Sequence, residues 1–268
     1  MQEPPPHAQQ SPAFTAAAAD RHQLYELAVQ QPVLMTGFLV DVYTQFNEGE
    51  EPLVLREDFA GTANLAATWV CRGEECRAIA VDDDADVLAW ADRHNRRPLG
   101  DAGRRLKLTH RDVRRCHAKA DVLVSLNFSH FIWHDRADLL AYLRHARRCL
   151  QPGGLMVLDT YGGPGALETG TDERDHGDFT YQWEQASFDP TRNRVVNHIH
   201  FAFPDGARID RAFTYNWRLW SLAELHEALL EAGFDDPHVC FETEDGFGDL
   251  DPEQMHAWVA YIIAGANK

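Results

Sequence analysis

The residues best suited to chemistry stand at the ends of apolar runs. Glu57 closes the run that begins at Leu53 and leads into Asp58-Phe-Ala-Gly-Thr-Ala63, and Asp82, with Asp83 and Asp84 behind it, closes Arg77-Ala-Ile-Ala-Val81. Asp112 follows a third run, and Asn127-Phe-Ser-His130 follows a fourth. If each run is a parallel strand, all four positions fall on the carboxyl edge of one sheet, where doubly wound folds bind ligands. An acid at the tip of the second strand is placed to hold the two hydroxyls of a ribose. The small residues Gly61 and Ala63 let a ligand approach the free N–H groups at the start of the next helix. The dinucleotide fingerprint GxGxxG is absent.

The elements that must position these residues follow from periodicity. Strands are expected at 53–55, 78–81, 106–109, 121–126 and 155–159, with helices at 62–72, 85–95 and 137–150, the last closed by Pro152-Gly-Gly154. Strands alternating with helices imply an α/β fold with a doubly wound, mostly parallel sheet. Ahead of it, Asp20 reads as a helix N-cap, and Pro32 breaks the helical pattern that follows. The pattern changes at 179–188, 195–203 and 208–216 to alternation separated by turn residues, which implies an inserted antiparallel meander covering the edge. A helix at 221–232, with Ser221 and Glu224 as its capping box, and strands near 238–242 and 258–264 complete the chain. The expected divisions are a flexible tail at 1–18 and a single domain at 19–268. Within it lie a helical lid at 19–50, a core at 51–160, the insertion at 165–220 and a closing helix and strands at 221–268.

A formal net charge of −17 argues against nucleic acid and against an anionic membrane surface as partners. No uncharged apolar run approaches membrane-spanning length, and no basic-then-apolar leader opens the sequence. The five cysteines form no CxxC pair and suggest a reducing, cytoplasmic setting.

In this order and spacing the motifs resemble those of the class I S-adenosylmethionine-dependent methyltransferases of small-molecule type. Arg56-Glu-Asp-Phe-Ala-Gly-Thr-Ala63 is similar to their first motif, Ala120-Asp-Val-Leu-Val-Ser-Leu-Asn127 to their fourth, and Leu150-Gln-Pro-Gly-Gly-Leu-Met-Val-Leu158 to the segment after it. The resemblance covers about 53–160 and implies a Rossmann-like core and S-adenosylmethionine as cofactor. It implies that Glu57 meets the cofactor's amino-acid portion, Asp82 its ribose with Asp83 beside it, and Asp112-Val113 its adenine. Gly61 is the central glycine of the turn, Phe59 and Ala63 replace two others, and Asn127 borders the site. Phe59 is expected to narrow the pocket, and Tyr25 to close over it as a lid.

Substrate recognition is expected in the meander, from Tyr181, Trp183, His198, His200, Arg211, Tyr215 and Trp217, with Ser129 below them. His130 and Glu184 are the candidate general bases for an in-line methyl displacement onto N, O or S of a small-molecule acceptor. His198 and His200 share a strand face but have no third ligand, so no metal is expected. The alternatives are a nucleotide-dependent oxidoreductase on a similar sheet and a cofactor-binding module without turnover, the latter motivated by Phe59. An exposed meander edge could pair two chains as a homodimer.

Overall fold

The structure is a computed structural model that describes residue 16 and residues 19–235, 237–243, 246–250 and 255–266. The expected tail at 1–18 thus lies outside the described residues apart from Ala16, which like Ala19 packs against the apolar cluster around Leu24 and Phe201.

Two helices precede the first strand. In α1 (Arg21–Val29) the Asp20 carboxylate accepts the His22 and Gln23 N–H groups. In α2 (Pro32–Phe46) Pro32 takes the first helical turn, where its missing N–H costs nothing. The central unit then alternates β1 (Val54–Asp58), α3 (Asn64–Val70), β2 (Arg77–Asp82), α4 (Ala85–Ala91), β3 (Leu106–His110), β4 (Ala120–Ser125), α5 (Arg136–Arg148) and β5 (Leu150–Gly162). After the meander come α6 (Leu222–Ala232), β10 (His238–Thr243), β11 (Gly246–Gly248) and β12 (Trp258–Gly265). The sheet order is β11-β10-β12-β5-β4-β1-β2-β3, parallel from β1 to β5 and antiparallel in β10 to β12.

Alternating residues of the parallel strands feed two cores. Val122, Val124, Leu155 and Val157 face α2 and α3, with Leu39, Leu65 and Trp69. Leu123, Met156 and Leu158 face α5 and α6, with Leu139, Leu143, Leu225 and Leu229. Burial on both faces is what makes these strands continuous apolar runs. The order of connections reverses between β1 and β4, so the crevice opens at the tips of those strands.

Several elements differ from the sequence expectation, among them the end of α5 and the strand count of the meander. Helix α5 stops at Arg148, and Pro152-Gly-Gly154 lies within the opening residues of strand β5, which begins at Leu150. Gly153 is left-handed there (φ 74°), and an added Cβ would fall 2.6 Å from Asn47 Oδ1. The meander has a fourth strand: β6 (Gly170–Asp175) precedes β7 (Thr180–Asp189), β8 (Arg194–Ala202) and β9 (Arg208–Arg218), all antiparallel. Every residue of β6 is exposed, so it lacks the alternation by which strands are read.

Candidate active site

The turn after β1 is built from three left-handed residues at alternate positions, Phe59, Gly61 and Ala63, with φ of 57°, 52° and 55°. Glycine adopts this conformation freely, whereas the other two carry a steric cost. A Cβ on Gly61 would meet nothing within 4 Å, so the turn is open on that side. The ring of Phe59 does not narrow the cleft as expected. It packs against Trp133 and Tyr142, with centroids 6.0 and 5.7 Å away.

Carboxylates hold this turn. Asp82 accepts the Gly61 N–H at 2.7 Å through Oδ2 and the Asp84 N–H at 2.9 Å through Oδ1. Glu57, buried at the tip of β1, accepts the Ala66 N–H of the first turn of α3 at 3.0 Å, and burial pushes its carboxyl up to about 8. Asp83 is exposed beside Asp82, and Asp84 caps α4. Asp112 is engaged by Arg114 at 2.8 Å, a hydrogen-bonded pairing that holds its carboxyl below the usual range. Val113 is buried, and its carbonyl accepts from Arg56.

The loop after β4 is the second component. Asn127 and Phe128 are both left-handed, and their N–H groups donate to Asp159 in the second half of β5. The Ser129 hydroxyl donates to the Leu126 carbonyl at 2.7 Å, which closes the turn. His130 is fully buried, and neither ring nitrogen has a hydrogen-bond partner among the described residues. Burial lowers its pKa to about 3. Glu57, Asn127 and Asp159 line one cleft with Gln30, Met35 and Tyr261.

The meander and α1 form an aromatic wall. Trp183 lies 6.1 Å from Tyr215 and 6.0 Å from Trp217, and Tyr215 stacks on Trp217 at 4.3 Å. Tyr25 of α1 hydrogen-bonds Tyr215 and packs near Phe213, and Tyr181 lies in the same cluster. The structure therefore brings Tyr25, Tyr181, Trp183, Tyr215 and Trp217 together.

It does not bring the remaining meander candidates to them. Neighbouring residues of a strand point to opposite faces, so Glu184 is turned away from the face that holds Trp183, and it is paired across the sheet with His198. On that outer face His200 Nε2 meets Glu184 at 3.0 Å, His200 Nδ1 meets Asp210 at 3.2 Å, and His198 meets Thr214. Arg211 is exposed at a β-bulge with φ of 50°. Glu184, His198 and His200 thus share the face opposite Trp183, and Arg211 is exposed.

Sequence reasoning passed over Asp159 and the pair Arg56–Asp58. Asp159 carries the same signal as Glu57 and Asp82, an acid ending an apolar run. Arg56 is fully buried, bonded to Asp58 at 2.7 Å and to the Val113 and Cys116 carbonyls at 2.8 and 2.7 Å. A buried arginine inside an apolar strand leaves no pattern that a sequence displays.

Residues 59–158 match the family model described as a methyltransferase domain. Over that stretch the chain is similar to a methyltransferase domain. It is an enzyme of the methyl-transferring kind, and the donor used by the class that its motifs resemble is S-adenosylmethionine. No curated protein matches the chain. Among solved structures, an S-adenosylmethionine-dependent methyltransferase from Clostridium acetobutylicum is similar with a TM-score of 0.71 at 17% identity, over 92% of this chain and 98% of that one. An amino pentose methyltransferase from Micromonospora echinaspora, solved with S-adenosylmethionine bound, gives 0.69 at 14% identity over 97% and 100%. A sugar N-methyltransferase from Streptoalloteichus gives 0.65 at 17% identity over 99% and 100%. These likenesses establish the fold, with the meander included. Among the described residues, no helix is long and apolar enough to cross a membrane.

Proposed function

We propose that this methyltransferase transfers the methyl group of S-adenosylmethionine to a nitrogen or oxygen of a small-molecule acceptor by in-line displacement. The observation that carries the reading is the convergence of carboxylate-anchored loops at the tips of β1, β2 and β5 beneath the aromatic wall. The donor set suits the cofactor. Among the described residues the cleft is lined by Glu57, Asp159 and Glu242 without a lysine or arginine, which favours a ligand bearing a sulfonium and an ammonium. The open side of Gly61 leaves room where a side chain would stand.

In this reading Asp82 and Asp83 hold the ribose, Glu57 the amino-acid portion, and the Asp112–Val113 segment borders the base. When bound, the cofactor supplies an electrophilic methyl group. The protein supplies proximity and alignment, a contribution that reaches several kcal/mol in well-oriented reactions. Tyr25 with the 19–50 lid, and Trp183, Tyr215 and Trp217 of the 165–220 insertion, enclose the acceptor and exclude water. We assign no general base. Glu184 faces away, and a histidine held near a pKa of 3 takes a proton from an acceptor poorly.

The five cysteines are unpaired, which supports the cytoplasmic assignment. A homodimer joined through the meander would use β9, because β6 presents the charged run Asp172-Glu-Arg-Asp175 at its free edge. Calorimetric titration with S-adenosylmethionine, S-adenosylhomocysteine and NAD tests the reading. Binding of the first two without NAD supports it, and binding of NAD alone would return the oxidoreductase alternative.

A further inference from the structure

Asp159 is 5% exposed, and both of its carboxylate oxygens are occupied by the loop after β4. Oδ2 accepts the Asn127 N–H at 2.6 Å and Oδ1 the Phe128 N–H at 2.8 Å. Those two residues are consecutive and left-handed, with φ of 57° and 59°. For residues other than glycine this costs on the order of 1 kcal/mol each. Consecutive N–H groups that converge make a concavity for an anion, and the Asp159 carboxylate occupies that place.

Two relations put this clamp in the cleft. Asp159 and Asn127 line it together with Glu57. The turn that the clamped residues lead into, Ser129–Ile132, packs against β9, with Phe131 6.0 Å from Trp217 of the aromatic wall. The loop therefore touches the donor side through Asn127 and the acceptor side through Phe131.

Resting on the methyl-transfer reading above, we propose that Asp159 is a positioning residue. By holding the Asn127 and Phe128 amides it sets the loop after β4 against the donor and against the aromatic wall together. The groups that face it are Glu242 of β10, Tyr261 of β12, Glu57 of β1 and Tyr25 of α1, and among the described residues no cationic side chain lines the cleft. Burial, against the pull of its two N–H donors, raises the carboxyl to about 7. Protonation places a hydrogen on one oxygen and removes an acceptor, so the clamp holds above this pH and loosens below it.

The test is calorimetric titration with S-adenosylhomocysteine, from about pH 5.5 to about pH 8.5, of the wild type and Asp159→Asn, with thermal melting of each. Asparagine keeps the size but turns an NH₂ group toward one of the two amides. The expected result is affinity weakened about tenfold at the upper pH and about twofold or less at the lower, where the wild type has lost its own clamp. The ratio of the two proteins cancels the titration of Glu57, which they share. A ratio that stays constant with pH overturns the proposal, because lost packing alone gives that result. Failure of the wild type to bind at any pH is a different result and removes the methyl-transfer reading itself. If Asp159→Asn does not fold, the wild type decides. The amide proton resonances of Asn127 and Phe128 must then shift together with a midpoint near pH 7, and two amides that do not titrate overturn the proposal.

Discussion

The carboxylate of Asp82 accepts the backbone N–H of Gly61 at 2.7 Å, so the tip of the second strand fixes the turn that leaves the first. The other Asp82 oxygen holds the Asp84 N–H at 2.9 Å, which orients the start of α4. Asp82 is thus expected to act twice, in the ribose contact and in the shape of the turn. Asp82→Ala removes both. Hydrogen bonds to a charged acceptor contribute about 2 kcal/mol each, so S-adenosylhomocysteine affinity is expected to fall about thirtyfold or more by calorimetry. Affinity within about threefold of the wild type would show that the ribose is held elsewhere.

Phe59 stands left-handed in a position suited to glycine, with its ring in the core. Phe59→Gly relieves the backbone cost but empties the space against Trp133 and Tyr142. The lost packing outweighs the relief, and a net destabilisation of about 1–2 kcal/mol is expected in chemical denaturation. Cofactor affinity should be retained. A large gain in affinity would mean that the ring does occupy the pocket.

What the sequence displayed and what it hid have physical reasons. Strands buried on both faces are continuous apolar runs, so β4 and β5 were legible, and so were the acids at the tips of β1 and β2. The aromatics of the meander were legible as a group, but the face that each residue occupies was not. Facing depends on a register fixed by pairing: Ile199 lies opposite Trp183, so His198 and His200, which alternate with it, point to the other face. Strand β6 was hidden because all of its side chains are exposed. The Asp159 clamp was hidden because it joins two strand ends that only the sheet order makes adjacent.

Arg56 and Asp58 form a wholly buried ion pair at 2.7 Å, and the Tyr142 hydroxyl donates to Asp58 at 3.2 Å. Arg56 also bonds the carbonyls of Val113 and Cys116, which ties β1 to the segment beside Asp112. Removing one partner leaves the other charge buried alone, and Arg56→Ala is expected to cost about 3–5 kcal/mol in denaturant unfolding. The double change Arg56→Met with Asp58→Leu should recover much of that loss. Equal loss in the single and double variants would show that the carbonyl contacts, rather than the charge, are decisive.

His198 and His200 lie on the outer face of the meander, where His200 pairs with Glu184 and Asp210. The rings are largely covered, and hydrogen bonds of this kind contribute about 1 kcal/mol to stability rather than to the cleft. His198→Ala and His200→Ala are each expected to leave S-adenosylhomocysteine affinity and methyl transfer within about twofold of the wild type, whereas Trp217→Ala, on the inner face, should impair transfer. A severe loss in either histidine variant would put the acceptor on the outer face.

Glu57 gives the stability of the protein a definite pH dependence. Burial raises its carboxyl to about 8, against an ordinary glutamate value near 4.3 in the unfolded chain. Between those values the folded protein holds a proton that the unfolded chain does not, so stability falls as pH rises through the window and levels off above about 8. Asp159, raised to about 7, and Asp58, raised to about 6, act in the same direction. Melting temperature measured from about pH 5 to about pH 9 should therefore decline in the wild type, and decline less steeply in Glu57→Gln, which mimics the protonated form. A cationic ligand beside the ionised carboxylate reverses the penalty. The stabilisation added by S-adenosylmethionine should grow with pH in the wild type and stay flatter in the variant. Parallel curves for the two proteins would show that Glu57 is not the group that titrates and that it does not face the cofactor's positive charge.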